Sequence, residues 1–506
     1  MDRFVCPRFS ITAVVELRPR GSLFWGLLGR EFDRRGALSV GVLLLAVLVF
    51  YRKILFSDAY VIPWDFRYFH LPLAAALSDA LKSGESLLWD PSTYCGRPLF
   101  ADPQAQLYYL PTDAVIVLSA VLPSLRLASL LEWQLVLHVF AAGAFTFLFL
   151  RRMGISRPAA LCGGFIFELG GFFASQTQHL DAVDSGAWIP LIWTAAWELR
   201  STWNRWWFAV LATAGAMCVL AGLPTVFITG FVSTLILSLL FCSFKLGRWP
   251  QLTVIGLSFL AAIGISAVLL LPAIQLTFLS VAKYRTDWMD GSGLPVHSLV
   301  SLILPDHYHI FDLGLYRSPW SLTFLYLYGS IGGVVLALIA LFRKQAHRQV
   351  LPLAVGTLFS GVWMLGTLTP LGKVVFELTP KLVQGSLYPQ YTMVTFCLGM
   401  ACLAAMGLHS IGRIGTIAKY GIALAVAVDL IATGSGRPMN TAALREEPGF
   451  THDQINGSAE LASELRRLTR YAFPPARIDT FQDGPTWSTT APLTGFRPRT
   501  DTIRWR

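Results

Sequence analysis

The strongest constraint on this chain is a succession of apolar runs, many long enough to cross a bilayer, whose connecting segments are basic at every second turn. Leu127 to Leu150 ends in Arg151-Arg152 with Arg157 close behind. Arg200/Arg205, Lys245/Arg248, Arg343/Lys344/Arg348 and Arg413/Lys419 then fall at alternate turns. Lys and Arg are retained on the cytoplasmic side, so the alternation predicts orientation as well as crossings. Composition agrees: 54% of residues are hydrophobic and only 14% charged, against about a quarter charged in a soluble domain. Such a chain cannot clothe a soluble surface, and disordered, fibrous and disulfide-rich secreted classes are excluded. The net charge of +10 sits in short turns between apolar runs, so the partner it implies is the lipid bilayer and not nucleic acid.

The expected fold is an all-α polytopic membrane protein with about 11 transmembrane helices. Residues 1–36 form a basic cytoplasmic N-terminus, and the uncleaved run Ala37 to Tyr51 is the first span. Residues 37–432 form the membrane domain, with further spans near 127–150, 158–174, 186–199, 206–222, 224–242, 252–279, 321–342, 350–367, 388–409 and 415–432. Residues 52–126 make a large external loop in which Phe69 to Lys82 has the spacing of an interfacial helix. Leu107 to Leu122, broken by Pro111 and Asp113, is expected to be re-entrant or interfacial. Residues 433–506 form an external tail of mixed structure, an incomplete domain with a helical stretch (SAELASELRRLTRYA) and a strand-like RIDTF. The N-terminus lies inside and the C-terminus outside.

The seven cysteines make no framework: five lie in apolar stretches, Cys6 in the basic leader and Cys95 in a polar loop. Phosphate-loop, dinucleotide, Ser-His-Asp and HExxH patterns are absent. Chemistry concentrates in the external loop, where Asp58, Asp65, Asp90 and Asp102 stand among Pro, Trp and Gly. A carboxylate just past the end of a span can take a proton from a sugar hydroxyl or bind a metal that neutralises phosphate. Asp65 fits that role best, and Asp102 is the candidate second acid, although Asp-Pro-Gln also reads as a turn. A second polar group joins Gln176, Gln178, His179, Asp181 and Asp184, preceded by Glu168, which must face the protein interior or a wet cavity. Asp306-His307-Tyr308-His309 with Asp312 is a third cluster, able to chelate only on an extended backbone. Trp203, Trp206 and Trp207 read as interface anchors.

The ordered segments WDFRYFHLPL, SGESLLWDP, CGRPLFADPQAQLYYLP, RRMGISRPAALCGGFIFELGGFF, a His ahead of AWIPL, LILPDHYHIF, LYLYGSIGGVVLALIALF and LYPQYTMVTFCLGMACLAAMGL resemble the YfhO-like bacterial membrane protein family. That family is placed in the GT-C (C-type) glycosyltransferase superfamily, and the resemblance covers roughly residues 38 to 440. It implies a polyprenyl-phosphate-linked sugar donor, a large first external loop with an acid near its start, and transfer on the outer face of the membrane; the expected acceptor is an envelope glycan, lipid or protein, the expected location the bacterial cytoplasmic membrane, and a divalent cation (Mg or Mn) is the one candidate cofactor. Asp65 matches the acid near the start of the loop, Asp102 and Gln104 the ADPQ-like element, and His179 the histidine ahead of the next span. Family members often carry arginines around the Pro of the segment matching Leu387 to Tyr391, and this chain has none there. The cations left to meet the donor phosphate are Arg67, Arg97, Lys283, Arg285 and Arg317, of which Lys283 and Arg285 lie a few residues beyond a long span.

The leading reading is therefore a membrane glycosyltransferase. A lipid-linked glycan transporter or flippase would show broken spans meeting at midplane and charges deep in the bilayer. A non-catalytic envelope assembly protein is the reading favoured by the missing arginines.

Overall fold

Inside a bilayer every backbone N–H and C=O must find a partner within the protein, and a long apolar run meets that demand by coiling into a helix. The computed structural model describes residues 33–90, 96–122, 124–201, 203–242, 249–280, 292–343 and 347–444, with the strand residues 478–479 and 498–499. Its main helices are α1 (Arg34–Phe50), α2 (Leu71–Ser83), α3 (Leu110–Val121), α4 (Leu127–Arg152), α5 (Arg157–Leu169), α6 (Leu180–Ala187), α7 (Ile189–Leu199) and α8 (Arg205–Leu220). They continue as α9 (Pro224–Cys242), α10 (Trp249–Ile265), α11 (Ala267–Leu279), α12 (Ile331–Phe342), α13 (His347–Met364), α14 (Met393–Ser410) and α15 (Thr416–Gly434). Helices α2, α3, α5 and α7 each carry Pro in their first two positions, where the missing N–H has no helical acceptor to lose.

Among the described residues five helical stretches are long and apolar enough to cross a membrane: Leu127–Arg152, Arg157–Ser175, Pro224–Cys242, Pro389–Ser410 and Thr416–Gly434. The apolar window of Arg157–Ser175 is 100% buried and that of Thr416–Gly434 only 28%, so the former is the centre of the bundle and the latter its rim. Exposed apolar side chains on rim helices, such as Ile417, Leu424, Val428 and Phe342, face where hydrocarbon would be. The core is a continuous cluster of α1, α4, α5, α12 and α14 side chains. Helix α3, at 12 residues, is about 18 Å long and too short to span a core about 30 Å thick.

Several expected spans are not continuous helices. The run 252–279 breaks at Ser266, and its two halves meet at 72°. Beyond the break α11 turns beneath the external loop, where Leu269 packs with Tyr109, Met217 and Ala221. Of the run 321–342 only α12 is α-helical. Leu325 to Tyr328 pass through the interior as buried non-helical chain whose polar groups are satisfied: Gly171 N donates to the Tyr328 carbonyl at 2.8 Å, and Leu327 N donates to Ser301 Oγ at 3.2 Å. The run 186–199 starts only at Ile189, after α6 ends.

The cross-bundle hydrogen bonds sort into two ends. At one, Ser435 Oγ donates to the Phe50 carbonyl, Asn440 Nδ2 to the Ala174 carbonyl, and Thr225 Oγ1 to the Ser386 carbonyl, while Tyr60–Val61 pairs antiparallel with Ala442–Ala443. At the other, Trp197 Nε1 donates to the Arg152 carbonyl, Gln349 Nε2 to the Met153 carbonyl, and Ser156 N to His409 Nδ1. The start of the tail is thereby stitched to the first loop. Within the rest of the tail, 478–479 pairs in parallel with 498–499. The stretch SAELASELRRLTRYA and the leader through residue 32 lie outside the described residues.

Close helix approach in this bundle depends on small residues. A Cβ on Gly407 of α14 would collide with the backbone carbonyl of Leu336 on α12, whereas one on Gly412 would meet nothing within 4 Å. Gly407→Ala is expected to destabilise the detergent-solubilised protein by about 1–3 kcal/mol, read as a lower thermal midpoint, with Gly412→Ala close to the parent. Equal midpoints would show that α12 and α14 do not touch through this contact.

Candidate active site

The external loop is built to present one carboxylate. Trp64 sits in the left-handed region at φ 53°, a conformation that costs a bulky residue about 1–3 kcal/mol and persists only where the surroundings hold it. Arg67 N and Tyr68 N donate back to the Trp64 carbonyl at 2.8 and 3.0 Å, which starts the wide helical turn Phe66–His70 directly after Asp65. Asp65 Oδ2 lies 3.4 Å from His179 Nε2, with the Asp65 side chain 57% exposed and that of His179 only 16%. The charge therefore faces outward while its partner is anchored within.

That anchoring fixes the protons of His179. Gln176 Nε2 donates to the Thr323 carbonyl at 2.8 Å, so its Oε1 faces His179 Nδ1, also at 2.8 Å, and Nδ1 must carry hydrogen. Nε2 then attracts Asp65 only when it too is protonated. The hydrogen bond from His179, followed by the smaller attraction of His179 and His70, holds the Asp65 carboxyl below the ordinary carboxylate range against the opposing effect of burial. The imidazole edge also meets Tyr391, at 5.8 Å between centroids, and Tyr391 packs edge-on against Phe324. The turn Leu387 to Tyr391 thus reaches the site although it carries no arginine.

Helix α6 locks the loop to the bundle through Asp181 and Asp184, three residues apart on one face. Asp181 Oδ2 accepts from Gln104 Nε2 at 2.8 Å, and its Oδ1 lies 3.5 Å from His70 Nε2. Burial keeps His70 below the usual histidine range despite the pull of Asp181. Asp184 Oδ2 accepts from Gln134 Nε2 at 2.6 Å and Gln106 Nε2 at 3.1 Å, and its Oδ1 faces His138 Nδ1 at 3.2 Å. Beyond His138 the chain of bonds runs to Tyr109 Oη at 2.5 Å and on to Trp188 Nε1 at 2.9 Å. Gly222, at φ 106°, lets the backbone of Pro103 approach so closely that a Cβ there would strike the Pro103 carbonyl oxygen.

The sequence-derived candidates separate accordingly. Asp65 and His179 stand together. Asp102 is half-buried, ion-paired with Arg97, and caps the turn Pro103–Ala105 by accepting from Gln104 N at 3.0 Å. Arg97 also lies over the Phe69 ring at 5.2 Å. Gln104 is engaged by Asp181, and Arg67 is half-buried two residues after Asp65. Lys283 and Arg285 lie outside the described residues. Arg317 is on an exposed stretch, donating to the Tyr316 carbonyl at 2.7 Å. Asp306 and Asp312 accept from Phe311 N and Gly314 N, both at 2.9 Å, as turn formers do. Glu168 is wholly buried, packed against Gly143. Sequence reasoning did not join His70 or Gln106 to this site. The two glutamines of Ala101-Asp102-Pro103-Gln104-Ala105-Gln106 are matched by two aspartates at helical spacing, a signal visible only once both segments are known to meet.

A divalent cation does not fit this donor set. Asp102 is neutralised by Arg97, Asp181 is engaged by Gln104 and His70, and Asp184 Oδ2 accepts from Gln106 and Gln134, which leaves Asp184 Oδ1 buried beside His138 as a single oxygen. Among the described residues no three His, Cys, Asp or Glu side chains converge as metal ligands.

No protein-family model matches the sequence, and no curated protein matches it. Solved structures do match in fold. The apo oligosaccharyltransferase of Archaeoglobus fulgidus superposes at a TM-score of 0.52 and 12% identity, over 92% of this chain and 64% of that one. The same organism's oligosaccharyltransferase AglB, in complex with an inhibitory peptide and a dolichol-phosphate, gives 0.52 at 13% identity over 93% and 65%. Its complex with Zn and sulfate gives 0.53 at 13% identity over 91% and 62%. This chain spans less than two thirds of the length of those neighbours. At such identities the likeness is one of fold: the chain is a helical, multi-pass membrane protein that shares the fold of these solved structures over most of its length.

Proposed function

We propose that this protein is a membrane glycosyltransferase that takes a sugar from a polyprenyl-phosphate carrier and passes it to a cell-envelope acceptor, whether glycan, lipid or protein. The observation that carries the reading is the exposed Asp65 carboxylate, backed by His179, on the large loop of a GT-C fold. The dolichol-phosphate in the neighbouring AglB complex supports a lipid-phosphate donor, and the ordered motifs support the narrower YfhO-like affiliation. About 11 crossings with the N-terminus inside place Asp65 at the outer face of a bacterial cytoplasmic membrane.

In this reaction Asp65 Oδ takes the proton of the acceptor hydroxyl as its oxygen bonds to the anomeric carbon. The bond from that carbon to the phosphate oxygen breaks, and its electron pair leaves on the lipid phosphate. His179 keeps Asp65 ionised and aimed. Asp102 supports the loop through Arg97 and the cap it gives Gln104, and Gln104 in turn holds Asp181. Arg67 beside Asp65 and Lys283 with Arg285 are the cations proposed for the phosphate.

Asp65→Asn keeps the size of the side chain and removes its basicity, so turnover of a polyprenyl-phosphate sugar should fall about 10²-fold or more. Unchanged turnover in a folded variant removes Asp65 from the mechanism. The pH profile tests its partner. Because His179 lowers the Asp65 carboxyl, the base form persists to below the ordinary value of 3.8, and activity should be lost only as the pH falls through that lowered range. His179→Gln removes the lowering and leaves burial, so the acid limb of kcat/KM should move upward; a limb that stays in place would disconnect the two residues. Orientation is tested with single cysteines in a background lacking Cys6 and Cys95. The exposed sites Ser86→Cys and Arg413→Cys should label from opposite sides of intact vesicles, and labelling from one side would overturn the topology.

A further inference from the structure

At the end of the bundle opposite Asp65, α1, α5 and α15 begin side by side around a groove of about 710 Å³. Three features of its lining point to a common ligand chemistry. Its mouth carries the guanidinium groups of Arg35, Arg151 and Arg157. Arg157 pairs with Asp33 at 2.7 Å and Arg151 donates to the Ile155 carbonyl, and Arg35 also lies close to Asp33, so among the described residues that carboxylate is shared by two guanidinium groups. Helix N-termini add partial positive charge in the same place. Arg157 Nε and Ser156 Oγ, at the start of α5, are buried and have no hydrogen-bond partner among the described residues. Deeper in, the walls turn apolar through Val42, Leu161 and Phe165. The groove opens beside Leu38 and Leu424, 70% and 58% exposed on the rim of the bundle where hydrocarbon lies.

We infer that this groove is a binding site for an anionic phospholipid, with the phosphate headgroup among Arg35, Arg157 and Ser156 and an acyl chain along Val42, Leu161 and Leu424. A phosphate oxygen supplies the acceptors that Arg157 Nε and Ser156 Oγ lack, and the apolar walls match a chain that a free anion does not possess. The site stands apart from the Asp65 chemistry and holds whether or not the glycosyltransferase reading does.

The test uses the full chain in nanodiscs of equal phosphatidylglycerol and phosphatidylcholine, followed by native mass spectrometry and thermal unfolding. The parent should retain one phosphatidylglycerol and gain stability from it over phosphatidylcholine. Arg35→Gln with Arg157→Gln should reduce retention at least about tenfold, as expected for the loss of two cations at a phosphate. Val42→Trp, which fills the groove and leaves the arginines in place, should do the same and serves if the charge variant fails to fold. Equal retention of the two lipids, or unchanged retention in Val42→Trp, would mean annular lipid only and overturn the proposal. So would equal stabilisation by inorganic phosphate, or retention that appears only after residues 1–32 are removed, which would assign the groove to the chain's own leader.

Discussion

Two aspartates on one short helix hold the Asp65 end of this molecule together. Asp181 and Asp184 lie one helical turn apart on α6, inside the protein, where an unpaired carboxylate would be prohibitively costly. Each draws donors from the external loop, through His70 and Gln104 to Asp181 and through Gln106 to Asp184. Asp184 draws a further donor from α4 through Gln134, with His138 beside its second oxygen. The loop is therefore fastened to the bundle by the hydrogen-bond demands of two buried carboxylates as well as by its own apolar side chains. Because the fastening includes His70, the turn that begins at Asp65 inherits its position, and α6 begins directly after His179. The same helix thus sets both members of the outward-facing pair.

Irregular backbone collects at this end. Trp64, Gln106 and Ser330 adopt positive φ, the run after Ser266 folds back at 72°, and Leu325 to Tyr328 run non-helically through the interior. Non-helical chain at membrane depth survives only where protein groups satisfy it, as Ser301 and Gly171 do here. The opposite end is regular, made of helix starts and arginines. Acidic residues ordered by hydrogen bonds at one end and basic residues around an apolar groove at the other give the molecule a chemical polarity along the membrane normal.

The broken run at Ser266 bears on the choice between transfer and transport. Transporters place discontinuous helices at midplane, where the half-helix ends bind the cargo. Here the second half, α11, instead supports the loop through Leu269 against Tyr109 and Ala221. Glu168, wholly buried within α5, is packed against Gly143. The irregularity serves the loop, which agrees with chemistry at the surface of the bundle.

The sequence by itself determined the helical membrane class and singled out Asp65 as a candidate, because both follow from local quantities. Apolar run length decides what can cross, Lys and Arg in the turns decide which end is which, and an acid just past a span marks an interface. The short helix α3 and the interfacial α2 were legible for the same reason. The tertiary structure alone decided that 252–279 and 321–342 are broken, since hydropathy averages over a bend and cannot distinguish a helix from buried non-helical chain whose partners are supplied by distant residues. It also divided two similar loop aspartates: Asp102 is consumed by Arg97 and its turn, while Asp65 is left exposed against His179. The Asp102 half of that division is local, as the turn reading of Asp-Pro-Gln anticipates, whereas the Asp65 half rests on a contact across more than a hundred residues of chain, about which neither spacing nor composition carries information.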